Sequence, residues 1–270
     1  MQNKIVLITG STDGIGRQAA CELAKMGAKV IIHGRNKQKC SDTIQWIKNY
    51  VDSAELDYLV ADLSSLQEVR DMALAFENKY DRLDVLINNA GVYMHEKVLS
   101  VDGYEMTFAV NHLAHFLLIN LLLHDLKKSE SARIINVSSI AHTRAAIDFN
   151  NLNSENYFDG YYTYSLSKLA NILFTYELAE RLIGDKITAN ALHPGVISTK
   201  LLQTGFNISG ASLKEGAATS VYLASSDEVE NLSGKYFIKS AESLSSPLSY
   251  SKDYQKKMWE VSEKLVGMKN

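Results

Sequence analysis

The chain has 270 residues, of which 46% are hydrophobic and 22% charged, with a formal net charge of −3. Its apolar content excludes disorder, its length allows a full core without staples, and its charge excludes a global affinity for nucleic acid. Two cysteines, Cys21 and Cys40, exclude a disulfide scaffold, and no metal site is expected.

Residues 4–9 are a continuous apolar run rich in branched side chains, the pattern of a strand buried on both faces of a parallel sheet. The run Ile5-Val6-Leu7-Ile8 is too short for a secretory leader. From Gly14 onward Ile15, Ala19, Leu23 and Met26 recur at helical spacing. A second strand is expected over 29–33, a helix through Ile44, Ile47 and Val51, and a third strand over 56–60. A helix over 64–80 leads to a fourth strand over 84–88, and the pattern across 103–128 is helical. Its most apolar stretch, 116–123, is interrupted by Asn120 and falls short of the about 20 residues that span a bilayer. Strands over 133–138, 186–193 and 235–238, with a helix over 161–183, complete the series.

Seven strands alternating with helices predict an α/β fold, a Rossmann-type doubly wound parallel sheet with helices on both faces. No repeat, linker or low-complexity tract interrupts it, so residues 1–270 are expected to form one domain. Without a targeting or membrane-anchoring segment, a cytoplasmic protein is expected.

Between the first strand and first helix lies Gly10-Ser11-Thr12-Asp13-Gly14-Ile15-Gly16. Glycines there allow a sharp turn and close approach to a pyrophosphate, while the helix N-terminus offers N–H groups to the phosphates. The spacing is G-xxx-G-x-G, and the plain alternative is a tight βα turn. Cofactor contacts are expected from Gly10, Ser11, Asp13, Gly14, Ile15 and Gly16. The second strand ends in His33-Gly34-Arg35-Asn36-Lys37, with two cations and no carboxylate to bond a ribose 2′-hydroxyl. Arg35, with Asn36, suits a 2′-phosphate, so NADP(H) is favoured over NAD(H), against the alternative of a solvated basic turn. Asp62 and Leu63 follow the third strand, where a carboxylate could bond the adenine amino group.

Tyr164 and Lys168 are four apart, hence on one helical face. They join Asn88-Asn89-Ala90-Gly91 after strand four, Asn111 on a helix, Ser138-Ser139 after strand five and His193-Pro194-Gly195 after strand six. Together these motifs, in order from Lys4 to about Thr199, resemble the short-chain dehydrogenase/reductase superfamily in its compact form. The resemblance implies hydride transfer between a nicotinamide and a carbonyl or alcohol, with a cofactor and catalytic core over about 1–199 and a substrate lid and cap over 200–270. It implies Tyr164 as the general acid/base, with Lys168 and the cationic ring lowering a phenol pKa of about 10. Ser139 would polarise the substrate oxygen, and Asn111 would hold a water linking Lys168 to solvent. Asn89, Ala90 and Gly91 would line the adenosine side, Lys168 would reach the ribose, and Pro194, Gly195 and Thr199 would touch the nicotinamide and its phosphate.

Tyr164 follows Ser139 by 25 positions, where compact members often have about half that. The longer insert over 142–160, Ser167-Lys168-Leu169-Ala170-Asn171 and Trp259-Glu260-Val261-Ser262 look like the retinol-dehydrogenase-like branch. That resemblance implies a small apolar aldehyde, ketone or alcohol as substrate, usually with NADP(H). Many members of that branch carry an N-terminal membrane anchor, for which no segment is seen here. Tyr93, Met94, Phe149, Tyr157, Phe158, Phe206 and Ile208 are expected around an apolar pocket at the strands' C-terminal edge, with 200–212 as a lid. His95 and His142 are expected near its mouth. The apolar helix faces over 116–123 and 169–178 suggest packing against a twin subunit in a dimer or tetramer. Two other functions fit less well. A non-catalytic NADP(H)-binding regulatory protein would not need Tyr164 and Lys168, and a nucleotide-sugar epimerase or dehydratase usually has a longer C-terminal domain.

Overall fold

The computed structural model describes residues 1–268. Its strands are β1 (Ile5–Ile8), β2 (Lys29–Gly34), β3 (Leu56–Val60), β4 (Val85–Asn88), β5 (Ala132–Val137), β6 (Ile187–His193), β7 (Tyr236–Ile238) and β8 (Ala241–Ser243). They form one sheet in the order β3-β2-β1-β4-β5-β6-β7-β8, parallel except for β8. The helices are α1 (Gly14–Lys25), α2 (Lys37–Lys48), α3 (Leu66–Glu77), α4 (Met106–Phe108), α5 (Ala114–Leu121), α6 (Leu123–Lys127), α7 (Gly160–Arg181), α8 (Lys200–Phe206), α9 (Leu213–Ser225) and α10 (Lys252–Leu265).

The apolar runs divide by alternation, because successive side chains on a strand face opposite ways. Leu7, Ile31, Leu86 and Ile134 join a core layer with α3, α5, α7 and α10. Val6, Ile8, Ile32 and Ile87 join the other layer with α1 and α9. Both faces are therefore covered, as a parallel sheet requires.

The sheet departs from the sequence expectation by one strand. Residues 241–243 are short and polar, with no apolar alternation to mark them. They pair because Lys239 and Ser240, with φ of 51° and 59°, reverse the chain in a two-residue hairpin that joins Ile238 to Ala241. The expected helix across 103–128 is also not one helix. It begins at α4, passes through a π-helical turn over Ala109–Leu113, and continues as α5 and α6. Glu105 starts it, its carboxylate accepting from the Thr107 and Phe108 N–H groups at 2.9 and 2.8 Å.

The apolar excess on α5 and α7 has an intramolecular partner. Trp259 of α10 lies 4.9 Å from the Phe116 ring and 5.5 Å from the Phe174 ring, with the Arg181 guanidinium 4.1 Å from its own ring centre. Met258 is fully buried beside it, and Ser262 Oγ sits 2.7 Å from His112 Nε2. The helix end is strapped down by the Tyr104 hydroxyl, which donates to Leu265 O at 2.7 Å, and by Arg70, which donates to Val266 O. These faces are thus covered by the chain's own C-terminal helix and are not left free for a twin subunit. Among the described residues no helix is long and apolar enough to cross a membrane.

Trp259→Ala should lower stability by about 3–5 kcal/mol, as for other buried aromatic truncations. Urea denaturation measures it; a loss below about 1 kcal/mol would mean that α10 is not part of the core.

Candidate active site

β1 sits between β2 and β4, so the strand order reverses there and the loops after β1 and β4 part around a crevice. Thr9 bridges that gap. Its hydroxyl oxygen accepts from the Asn89 and Ala90 N–H groups at 2.9 and 3.0 Å. In return the Asn89 side-chain amide donates to Thr9 O and Gly10 O at 2.9 and 3.1 Å. Glycine is required at two points of this contact. A Cβ on Gly10, which has φ +61°, would lie 2.8 Å from Ala90 Cα. One on Gly16 would lie 2.5 Å from the Asn89 amide nitrogen.

Along this edge runs a cavity of about 1310 Å³. Its wall holds Gly10, Asp13, Gly14, Ile15 and Gly16 from the first turn, Arg35 and Asn36 after β2, and Asp62 and Leu63 after β3. It continues through Asn89, Ala90 and Gly91, then Ser139, Tyr164 and Lys168, and finally Pro194, Gly195 and Thr199.

Two expected site residues are not on that wall. Ser11 is fully buried, its hydroxyl donating to Ile8 O at 2.8 Å and accepting from the His33 N–H at 2.9 Å. It staples the turn to β2, and Thr12 lines the cavity instead. Asn111 is also fully buried, because its side chain is committed to the loop after β4. Its Oδ1 accepts from the Val92 N–H at 2.8 Å, and its amide donates to Val92 O and Ser167 Oγ, both at 3.0 Å. That side chain braces the floor beneath Lys168 rather than presenting a group to solvent.

At the β2 end, His33 accepts from the Gly10 N–H on Nδ1 at 3.1 Å and donates from Nε2 to Ala61 O at 3.2 Å. Burial pushes its pKa down to about 4, which keeps the ring neutral, and the Gly10 N–H donor and Ala61 O acceptor fix its tautomer. Asn36 caps α2 by accepting from the Lys39 N–H at 3.0 Å, and that first helical turn brings Lys39 to the cavity. Lys37, the other cation of the His33–Lys37 segment, does not line it. Lys39 was detectable as the residue one turn beyond the cap.

At the opposite end, α7 carries Tyr164 and Lys168, 7% and 3% exposed. Ser138 donates to Lys168 O at 2.7 Å and so fixes α7 to the end of β5. Lys168 Nζ donates to Val137 O at 3.0 Å and lies 5.7 Å from the centre of the Tyr164 ring. Burial pushes the Tyr164 phenol up to about 12, opposed by a hydrogen bond with the Ser139 side chain. Burial pushes Lys168 the other way, down to about 8. Ser139 caps a 3-10 helix over Ile140–Arg144, its oxygen accepting from the Ala141 N–H at 3.2 Å. His193 holds the same turn, accepting from the Ile140 N–H on Nδ1 at 3.2 Å.

The substrate end is apolar but differs in membership from the expectation. Met94, Phe206 and Ile208 line it, joined by Tyr161, Leu201 and Leu202. Phe206 on α8 lies 5.0 Å from the Tyr93 ring and 6.0 Å edge-on to Tyr164. Tyr93, Phe149, Tyr157 and Phe158 are not on the wall. The insert instead packs toward α10, with Phe149 5.8 Å from Tyr254 and Lys257 over its ring at 4.3 Å. His142 is turned inward, donating to Ser139 O at 2.6 Å and accepting from the Ser246 N–H at 3.0 Å. His95 meets Thr204 O at 2.7 Å on the outer side of α8. The foot of α8 is tied to the glycine turn by the Lys200–Asp13 ion pair at 2.5 Å. A buried phenol, a buried ammonium and a serine hydroxyl on one cavity wall can pass a proton to a carbonyl oxygen and stabilise charge on it.

Residues 4–210 match the short chain dehydrogenase family. Over 99% of its length the chain is 42% identical to human retinol dehydrogenase 14, of which the match covers 88%. It is 41% identical to mouse retinol dehydrogenase 13, covering 98% of this chain and 84% of that one. An uncharacterised protein from Mycobacterium paratuberculosis superposes with TM-score 0.83 at 32% identity, covering 98% of this chain and 94% of that one. The Pseudomonas aeruginosa RhlG/NADP active-site complex superposes with TM-score 0.73 at 28% identity, covering 88% and 94%.

Burial of the Lys168 ammonium opposes folding while both states carry the charge, below about pH 8. The opposition fades between about pH 8 and 10.5, as the folded state is already neutral while the unfolded chain still binds the proton. Lys168→Met should therefore gain about 1–3 kcal/mol at neutral pH. Urea denaturation across this range should show the gain shrinking as pH rises; a variant less stable than the parent at pH 7 contradicts the argument.

Proposed function

The chain belongs to the short-chain dehydrogenase family, in its retinol-dehydrogenase-like branch, and is an oxidoreductase of alcohols and carbonyls. From that premise we propose that it uses NADP(H) and acts on an apolar aldehyde or ketone, or the corresponding alcohol. The observation that carries the cofactor reading is the pair Arg35 and Lys39 on the cavity wall after β2, where no carboxylate is present to bond a ribose hydroxyl. A 2′-phosphate suits two cations, and Arg35 enters no ion pair among the described residues. The glycines at 10, 14 and 16 fit the close approach of a pyrophosphate, and RhlG, a relative by fold and sequence, binds NADP. The apolar reading rests on Met94, Tyr161, Leu201, Leu202, Phe206 and Ile208 around Tyr164.

The nicotinamide cofactor, when bound, supplies the hydride in reduction and accepts it in oxidation. In reduction, Tyr164 Oη gives its proton to the substrate oxygen, and Ser139 Oγ donates a hydrogen bond to the same oxygen as charge develops on it. In oxidation, Tyr164 must first be a phenolate. With its pKa at about 12 the tyrosine holds its proton at neutral pH, so a cationic neighbour is needed to lower it. Lys168 supplies part of that charge, and each pKa unit gained corresponds to about 1.4 kcal/mol. Phe206 of α8 lies edge-on to the Tyr164 ring, and an apolar neighbour there strengthens each of these interactions by displacing water from that side.

Tyr164→Phe should cut kcat by ~10²–10⁴-fold while leaving NADPH binding intact, measured by nicotinamide absorbance and fluorescence titration. Turnover undiminished by the change would remove Tyr164 from the mechanism. Arg35→Ala and Lys39→Ala should each weaken NADPH binding about tenfold with little effect on NADH, the loss shrinking at high salt. Tighter binding of NADH than NADPH by the parent enzyme would overturn the cofactor assignment.

A further inference from the structure

Every charged side chain on the cavity wall but one has a place in the reading above. Asp13 and Lys200 pair with each other, and Lys168 lies beside Tyr164. Arg35, Lys39 and Asp62 follow β2 and β3 on the cofactor side of β1. The remaining one is Arg144, which follows β5, three strand spacings or roughly 14 Å from β2 across the sheet. That separation removes it from the phosphate end.

Arg144 closes the 3-10 helix that Ser139 caps, and Ser139, Ile140, Ala141, Thr143 and Arg144 all reach the cavity while His142 turns inward. At a rise of about 2 Å per residue, Arg144 stands ~10 Å along the wall from Ser139. It is exposed, and among the described residues no carboxylate lies within ion-pair distance of it. The same cavity carries an apolar lining that includes Tyr161, Leu202 and Phe206, with Phe206 6.0 Å from the Tyr164 ring. The hydroxyl of neighbouring Thr143 already donates to Ile140 O at 2.8 Å, so the guanidinium is the free donor at this end.

We infer that the substrate is an apolar oxo acid, or the hydroxy acid it interconverts with, and that Arg144 binds its carboxylate. The planar guanidinium matches a carboxylate with two parallel N–H donors, and the apolar wall accepts the chain that joins the two ends. Reduction adds a hydride at the carbonyl carbon and the Tyr164 proton at its oxygen, giving the hydroxy acid and the oxidised cofactor. The carboxylate itself does not change. Arg144 is thus a specificity-determining residue, remote from the reacting atoms.

The inference rests on the oxidoreductase reading of the cavity, and a matched substrate pair separates the two. An ω-oxodecanoic acid and its methyl ester are assayed with NADPH on the parent enzyme, Arg144→Ala and Arg144→Glu. The parent should prefer the acid. The acid-to-ester ratio of kcat/KM should fall about tenfold or more in Arg144→Ala, mainly through KM, and fall further in Arg144→Glu. Turnover of the ester with a ratio that Arg144 does not move overturns this inference and leaves the oxidoreductase reading standing. If the parent turns over neither compound while reducing other carbonyls, the oxo-acid assignment is wrong. Failure on every carbonyl overturns both.

Discussion

The strand order reverses once, between β1 and β4, and the site depends on how that gap is closed. A chain of hydrogen bonds closes it. The Asn89 and Ala90 N–H groups donate to the Thr9 hydroxyl oxygen, and that hydroxyl can donate in turn to His115 Nε2 at 2.9 Å. His115 Nδ1 then donates to Asn111 O at 3.1 Å. The direction of the chain requires a neutral imidazole with its proton on Nδ1. Burial supplies that condition by pushing the His115 pKa down to about 3. One neutral ring thereby links the glycine turn, the loop after β4 and the π-helical turn that holds Asn111.

That linkage explains why a helix-interior asparagine sits in a π-helical turn. The wider turn lets the Asn111 amide engage both main-chain groups of Val92 and still reach Ser167 on α7. An asparagine in a regular helix interior has no such partners and is unfavourable there. With Asn111 in place, a Cβ on Gly91 would lie 3.5 Å from both Asn111 Oδ1 and Lys168 Nζ, so loop, amide and ammonium form one packed floor. A cation buried at that floor with one main-chain carbonyl as hydrogen-bond partner is held there at a cost to stability, which the surrounding core must offset.

The C-terminal helix contributes in a different way. It contributes no residue to the cavity wall, yet Trp259 fills the hollow between α5 and α7, the two helices that flank Asn111 and carry Lys168. The insert after Ser139 packs toward the same helix through Phe149. The insert over 142–160 is therefore mostly used for packing, apart from Thr143 and Arg144 at its start.

Much of the fold and the site was legible in the chain itself. Seven of the eight strands showed as apolar runs, because a strand buried on both faces must be apolar along its length. The glycine turn showed because turn geometry is local, whereas Ser139, Tyr164 and Lys168 stood out through the motifs that resemble the short-chain dehydrogenase pattern, and the structure brings all three to one cavity wall. Other features were not legible, since they depend on what lies across space. β8 exists through a hairpin of two non-glycine residues and carries no apolar pattern. Ser11 and Asn111 have the right residue types at the right positions, but their side chains are committed to main-chain partners 22 and 19 positions away. The apolar faces of α5 and α7 looked unpartnered because their cover comes from the far end of the chain. The sequence by itself determined the order of elements and the chemistry available at each strand end. Which side chains face the cavity was decided only in the tertiary structure, where buried polar groups must find hydrogen-bond partners and apolar faces must be covered.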